Sequence, residues 1–205
     1  MTYRVLTVSR EFGSGGGRIA KTVAEMLGWK LLDGELIDAI AQTAHVDPNI
    51  VTRFDEHVET WLQRMNRQAM RSAALSGGVV EGKEKCFDAD TMKELTRQIV
   101  EQAYQDGNCV IVGRGAQCIL QRQPGAFHVF IYAPLKDRVR RLHSRLAPGV
   151  NAERKAIAVD AERAKGLRQY FGEDWKNPHL YDLMVSSRDD EDVTARLITC
   201  AMSQE

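Results

Sequence analysis

Apolar residues along this chain follow two rhythms that alternate from end to end. Short, nearly unbroken apolar runs occur at residues 4–8 (RVLTV), 30–32 (KLL), 108–113 (NCVIVG), 127–133 (FHVFIYA) and 180–187 (LYDLMVSS). Between them the apolar positions recur every three or four residues, as on one face of a helix. Ile19, Val23 and Leu27 form such a stripe, and Gly28 stands where a helix C-cap is expected. Further helices are predicted from about residue 35, from 48 to about 74, and from about 89 to 104. Others follow from Pro134 up to the Pro148-Gly149 break, over 151–169, and over 190–203. Phe54, Val58, Trp61, Leu62 and Met65 share one stripe of the second of these, and the glycine-bearing stretch 75–85 reads as a loop. Strands that alternate with helices, and that are apolar on both sides, predict a parallel sheet covered on both faces.

In such a sheet ligands collect beyond the carboxyl ends of the strands. The residues just after each strand therefore matter most: 9–17, Asp33-Gly34, Gly113-Arg114-Gly115 and the turn after Ala133. The first of these, SREFGSGGGR, leads from a strand into a helix. Gly13, Gly15, Gly16 and Gly17 allow close approach of backbone N–H groups to an anion, and Ser14 adds a hydroxyl. A tight turn alone needs fewer glycines. The pattern GxxxxGK[ST] is nevertheless missing. If Gly17 is its last glycine, Arg18 takes the lysine slot and Ile19 the hydroxyl slot, yet Ile19 belongs to the core stripe. If Gly15 is the last, Gly16 and Gly17 fill those slots and the lysine is gone. Lys21 lies about a turn further along the helix and reads as solvated.

Composition narrows the remaining classes. The 205 residues suit a single domain with a full core, and 43% hydrophobic with 27% charged residues is ordinary for a globular protein. The formal net charge of zero argues against bulk binding to nucleic acid or a membrane surface. Cys86, Cys109, Cys118 and Cys200 have no CxxC or Cys/His spacing, and the five histidines show no ligand spacing. Reduced cysteines, no resident metal site and a cytoplasmic location are the expectations. No GxSxG turn supports a hydrolase, and GSGGGR departs from the GxGxxG of a dinucleotide fold.

Three segments together carry a family resemblance: VSREFGSGGGRIAKTVAEMLGWKLLD, NCVIVGRGAQCIL and ERAKGLRQYFGEDWKNPHLYDLMVSS. They resemble the cytidylate kinase-like proteins, a divergent branch of the nucleoside monophosphate kinases. The resemblance implies a three-layer α/β P-loop kinase fold: a five-stranded parallel sheet, a helical acceptor-binding insertion at about 48–88 and a small lid at 146–178. It implies phosphoryl transfer from ATP to a nucleoside monophosphate such as CMP or dCMP, with Mg2+ bound mainly through phosphates and water. Gly13, Ser14, Gly15, Gly16 and Gly17 would wrap the donor phosphates, and Arg114 would hold the acceptor phosphate. Arg138 and Arg141 before the lid, with Arg163 and Arg168 on its return, would close over the transferring group. Arg18 or these lid arginines would replace the absent lysine. Asp33 would contact the acceptor, orient magnesium through water, or cap the next helix.

Two other functions stay open at this level. A nucleotide-binding regulatory module without catalysis explains the missing lysine, and a kinase for a different small-molecule acceptor fits the same loop. Residues 48–88 suit either an acceptor-binding insertion or the arm of a homodimer.

Overall fold

The computed structural model describes residues 3–34, 89–188 and 190–203. The expected helices and loop between residues 35 and 88, including the stripe from Phe54 to Met65, lie outside the described residues. The chain divides into two compact units, one formed by Met1–Gly34 with Val100–Glu205 and the other by Glu35–Ile99. All five strands belong to the first. In chain order its elements are β1 (Val5–Arg10), α1 (Gly16–Leu27), β2 (Lys30–Leu32), the end of α2 (Ala89–Asp106), β3 (Cys109–Val112) and α3 (Ala116–Ile119). Then come β4 (Ala126–Tyr132), α4 (Leu135–His143), α5 (Ala152–Phe171), a 3-10 turn (Pro178–Leu180), β5 (Leu183–Ser186) and α6 (Glu191–Met202).

The strands form one parallel sheet in the order β2-β3-β1-β4-β5. β1 lies at its centre, with Val5 opposite both Cys109 and Ala126. The burial explains the sequence pattern: every residue of β3 is buried, as are the first six of β4, whereas edge strands β2 and β5 are short and only partly covered. Alternate residues serve two helical layers. Leu6, Val8, Val110, Val112, Val129 and Ile131 pack with Ile19 and Val23 of α1 and Ala195 and Ile198 of α6. On the opposite face Phe130 meets Leu167 of α5, Trp175 and Leu180. Phe130 and Trp175 stand edge to face with ring centroids 5.3 Å apart. A third cluster joins Leu142 of α4 to Ala152 and Ala156 of α5, with Phe12 against it.

Helix ends follow local chemistry. Gly28 caps α1 in the left-handed conformation, its N–H reaching Ala24 and Glu25 carbonyls, and Gly172 ends α5 the same way. The Asn151 and Asp190 side chains accept backbone N–H groups at the starts of α5 and α6. The sheet order places the ends of β1, β3 and β4 side by side, and the three loops that leave them converge there.

Candidate functional site

The glycine loop leaves the central strand, so its first residues are fixed by sheet neighbours. Glu11 N–H donates to the Ile131 carbonyl, and Ser14 N–H turns back to the Glu11 carbonyl. The Ser14 side chain is fully buried. Its carbonyl accepts from Arg141 Nη1 at 3.0 Å and from Ser187 Oγ at 2.5 Å. Gly13 is pressed against Leu142 and the Cβ of Arg138 on α4, which leaves no room for a side chain. The loop is thus clamped by α4 on one side and by the exit of β5 on the other.

α1 starts at Gly16, with Gly15 as its N-cap at φ 82°. A helix that begins here fits the register in which Gly15 is the last loop glycine and Gly16 and Gly17 fall in the lysine and hydroxyl slots. At this first turn the Gly16 N–H reaches Ser14 Oγ at 3.3 Å, the Arg18 and Ile19 N–H groups turn to the Gly15 carbonyl, and the positive end of the helix dipole lies at the loop. No hydroxyl stands at position 17 to hold a magnesium ion.

Arginines surround this mouth. Arg10, the last residue of β1, is largely buried, and its pKa is lowered to about 10. Desolvation is the main cause; Arg163 and Arg114 push the same way, and Asp33 opposes them. Arg10 stays charged at neutral pH. Arg163 reaches in from α5, donating from Nη1 to the Arg10 carbonyl at 2.7 Å, with its guanidinium 5.8 Å from the centre of the Phe12 ring. Its pKa is also lowered, chiefly by burial, with Asp160 opposing and Arg114 adding to the effect. Arg114 follows β3 at φ 57° between two glycines that also have positive φ. Its Nε and Nη2 donate to the Gly34 carbonyl at 3.4 and 3.1 Å. Three guanidiniums and the Asp33 carboxylate therefore act on one another at the carboxyl edge of the sheet. Phosphate oxygens suit such a cluster, because guanidinium forks offer paired donors.

The other expected residues lie differently. Arg18 points along the outside of α1 and pairs with Glu191 of α6. Arg138 is buried and has two carboxylates of its own, Asp160 at 2.5 Å and Glu11 at 3.4 Å, besides donating to the Phe12 carbonyl. Arg141 spends its guanidinium on the carbonyls of Ser14, Ser187 and Arg188. Arg168 is exposed near the C-terminus of α5, where its charge suits the helix dipole. Geometry thus divides the basic residues into a cluster at the mouth (Arg10, Arg114, Arg163) and a set that holds the scaffold (Arg18, Arg138, Arg141). Trp175 is core.

Sequence reasoning passed over Arg10, Glu11, Asp160 and Glu191. Arg10 was within reach, since it directly follows the apolar run of a strand whose carboxyl end faces the ligand. The carboxylates had no local signal, because each acts on a partner far along the chain. Among the described residues no group of His, Cys, Asp and Glu is arranged to hold a metal ion, and no helix is long and apolar enough to cross a membrane.

With this geometry in view, the comparisons are specific. The family model described as cytidylate kinase-like matches residues 5–189. The chain belongs to the cytidylate kinase-like family. No curated protein matches it in sequence. Among solved structures it is similar to an uncharacterized protein from Eubacterium ventriosum, with 20% identity, TM-score 0.69, and coverage of 98% of this chain and 99% of that one. A gluconokinase from Sinorhizobium meliloti matches with 13% identity, TM-score 0.56 and coverage of 99% and 94%. Shikimate kinase from Bacteroides thetaiotaomicron matches with 13% identity, TM-score 0.54 and coverage of 98% and 99%. These likenesses identify the P-loop kinase fold for this member of the family.

Proposed function

We propose that this cytidylate kinase-like protein transfers the terminal phosphoryl group of ATP to a small acceptor, a nucleoside monophosphate such as CMP or dCMP. The carrying observation is the convergence of Arg10, Arg114 and Arg163 beside the glycine loop at the start of α1. Phosphoryl transfer asks little covalent chemistry of a protein and much charge placed in advance around the moving group. The loop suits the donor phosphates. Arg114, two strands away from β4 and beside the Gly34 carbonyl, suits the acceptor phosphate. Arg163, on a helix whose far half packs on the sheet, suits the phosphoryl group between them. Magnesium would bring charge compensation to the phosphate oxygens. With Gly17 in the hydroxyl slot, it would be held through the nucleotide and water, with Asp33 a carboxylate acting on Arg10.

The test is ADP formation from MgATP with a panel of nucleoside monophosphates, beside an Arg163→Ala variant. Acceptor-dependent ADP is expected, and the variant should lose about 10²-fold or more in kcat, as when one donor to a developing charge is removed. ATP binding without turnover on any acceptor would instead support the regulatory-module reading.

A further inference from the structure

Gly16, the first residue of α1, and Gly113, at the exit of β3, both border one side chain, that of Arg10. A Cβ placed on Gly16 would come within 2.6 Å of Arg10 Cβ and 3.0 Å of Arg10 Cγ. A Cβ placed on Gly113, at the exit of β3, would fall on Arg10 Nη1, with Cζ at 3.4 Å and Nη2 at 3.7 Å. The arginine therefore runs from the end of β1 across the start of α1, and its guanidinium ends beside the Gly113-Arg114-Gly115 turn. Gly16 is the position at which a loop of this type carries its lysine. Its side-chain space is filled by the stem of another basic residue.

Resting on the phosphotransferase reading above, we propose that Arg10 supplies the charge that the loop lysine ordinarily provides, delivering it from β1 instead of α1. Its guanidinium then contacts the phosphoryl oxygens between the donor loop and Arg114. Three features support this. Its path links the donor loop to the acceptor side, which is the route of the transferred group. Its surroundings are those of a group awaiting an anion: Asp33 is the carboxylate acting on it, against two arginines, whereas neighbouring Arg138 has two carboxylates within ion-pair distance. Finally, the Arg10 carbonyl is held by Arg163, so the backbone that aims this side chain is fixed from the lid-side helix.

The decisive experiment moves the charge back. Binding of MgATP, inorganic tripolyphosphate and AMP is measured calorimetrically on the wild type, Arg10→Met, Gly16→Lys and the double variant Arg10→Gly/Gly16→Lys, each checked by circular dichroism and melting. Glycine is used at position 10 because Arg10 Cβ itself crowds Gly16. Loss of charge-assisted hydrogen bonds should weaken MgATP and tripolyphosphate in Arg10→Met by about 10- to 100-fold, with AMP changed less than about threefold. Gly16→Lys alone should be destabilised by collision with the arginine stem, and the double variant should recover polyphosphate binding. A folded Arg10→Met protein that binds polyphosphate like wild type, or loses AMP equally, overturns the proposal and leaves the phosphotransferase reading intact. So does a folded double variant no better than Arg10→Met. A wild type that binds neither ATP nor tripolyphosphate overturns both.

Discussion

Glu191 shows how much one residue can demand of another far away in the chain. Its carboxylate lies over Gly15, where a Cβ would come within 2.8 Å of Cδ, and Gly15 is also left-handed at φ 82°. Gly15→Ala therefore meets two penalties, backbone strain of about 1–3 kcal/mol and a steric one. The melting temperature should fall, and should fall less when the same change is made in an Glu191→Ala background, which removes the collision but not the strain. Equal losses in both backgrounds would show that the contact carries no weight. This scale also marks where sequence reading stops. Glycines that need positive φ announce themselves in the loop, and so does a helix C-cap such as Gly28. That Gly16 has no room for a side chain because Arg10 passes it is a fact of tertiary neighbours, and nothing within the loop encodes it.

Among elements, the junction of α4, α5 and the loop is held by charge. Arg138 on α4 lies between Glu11 and Asp160, all of them largely buried. Arg138→Ala would take the cation from buried Asp160 and leave Glu11 to the exposed Lys176 at 3.4 Å, and should cost about 3–5 kcal/mol in denaturant unfolding. Arg18→Ala, which removes an ion pair whose arginine is 58% exposed, should cost about 1 kcal/mol or less. Comparable losses in the two variants would refute this contrast between a buried, doubly paired arginine and an exposed one. β4 adds a pH dependence. His128 Nδ1 lies 2.7 Å from Thr7 Oγ1 in the sheet, and burial holds its pKa below the ordinary 6.5, against the opposing pull of Asp182 and the Leu120 backbone. The unfolded chain then binds the proton more readily than the folded one, so this contribution is whole above pH 6.5 and is lost as pH falls through the folded-state value. Melting points taken between pH 7 and 5 should decline, with a shallower slope in His128→Asn; parallel slopes would exclude His128 as a source.

For the whole molecule, the strand and helix rhythm gave five parallel strands with helices on both faces, because runs such as CVIV in β3 are buried on both sides and leave little ambiguity. Some boundaries shifted by a residue or two, as in β4 (Ala126–Tyr132) and α5 (to Phe171), whereas α4 ends at His143, short of the Pro148-Gly149 break, and β5 begins only at Leu183, after a 3-10 turn. The site was less legible. Its location beyond the strand ends follows from topology, but which arginine faces the mouth and which holds the scaffold depends on carboxylates such as Asp160 and Glu191, whose roles appear only once α5 and α6 are packed. The central place of β1 has a consequence for biosynthesis. The strand and its glycine loop leave the ribosome well before their partners: Thr7 waits for His128, 121 residues later, and the Ser14 carbonyl waits for Ser187, 173 residues later. At about 5–20 residues per second, that second delay is roughly 9–35 s of elongation. Throughout it the nascent loop has its glycines but lacks the Ser187 partner of its Ser14 carbonyl, so nucleotide can help the chain fold only after the exit of β5 has been made.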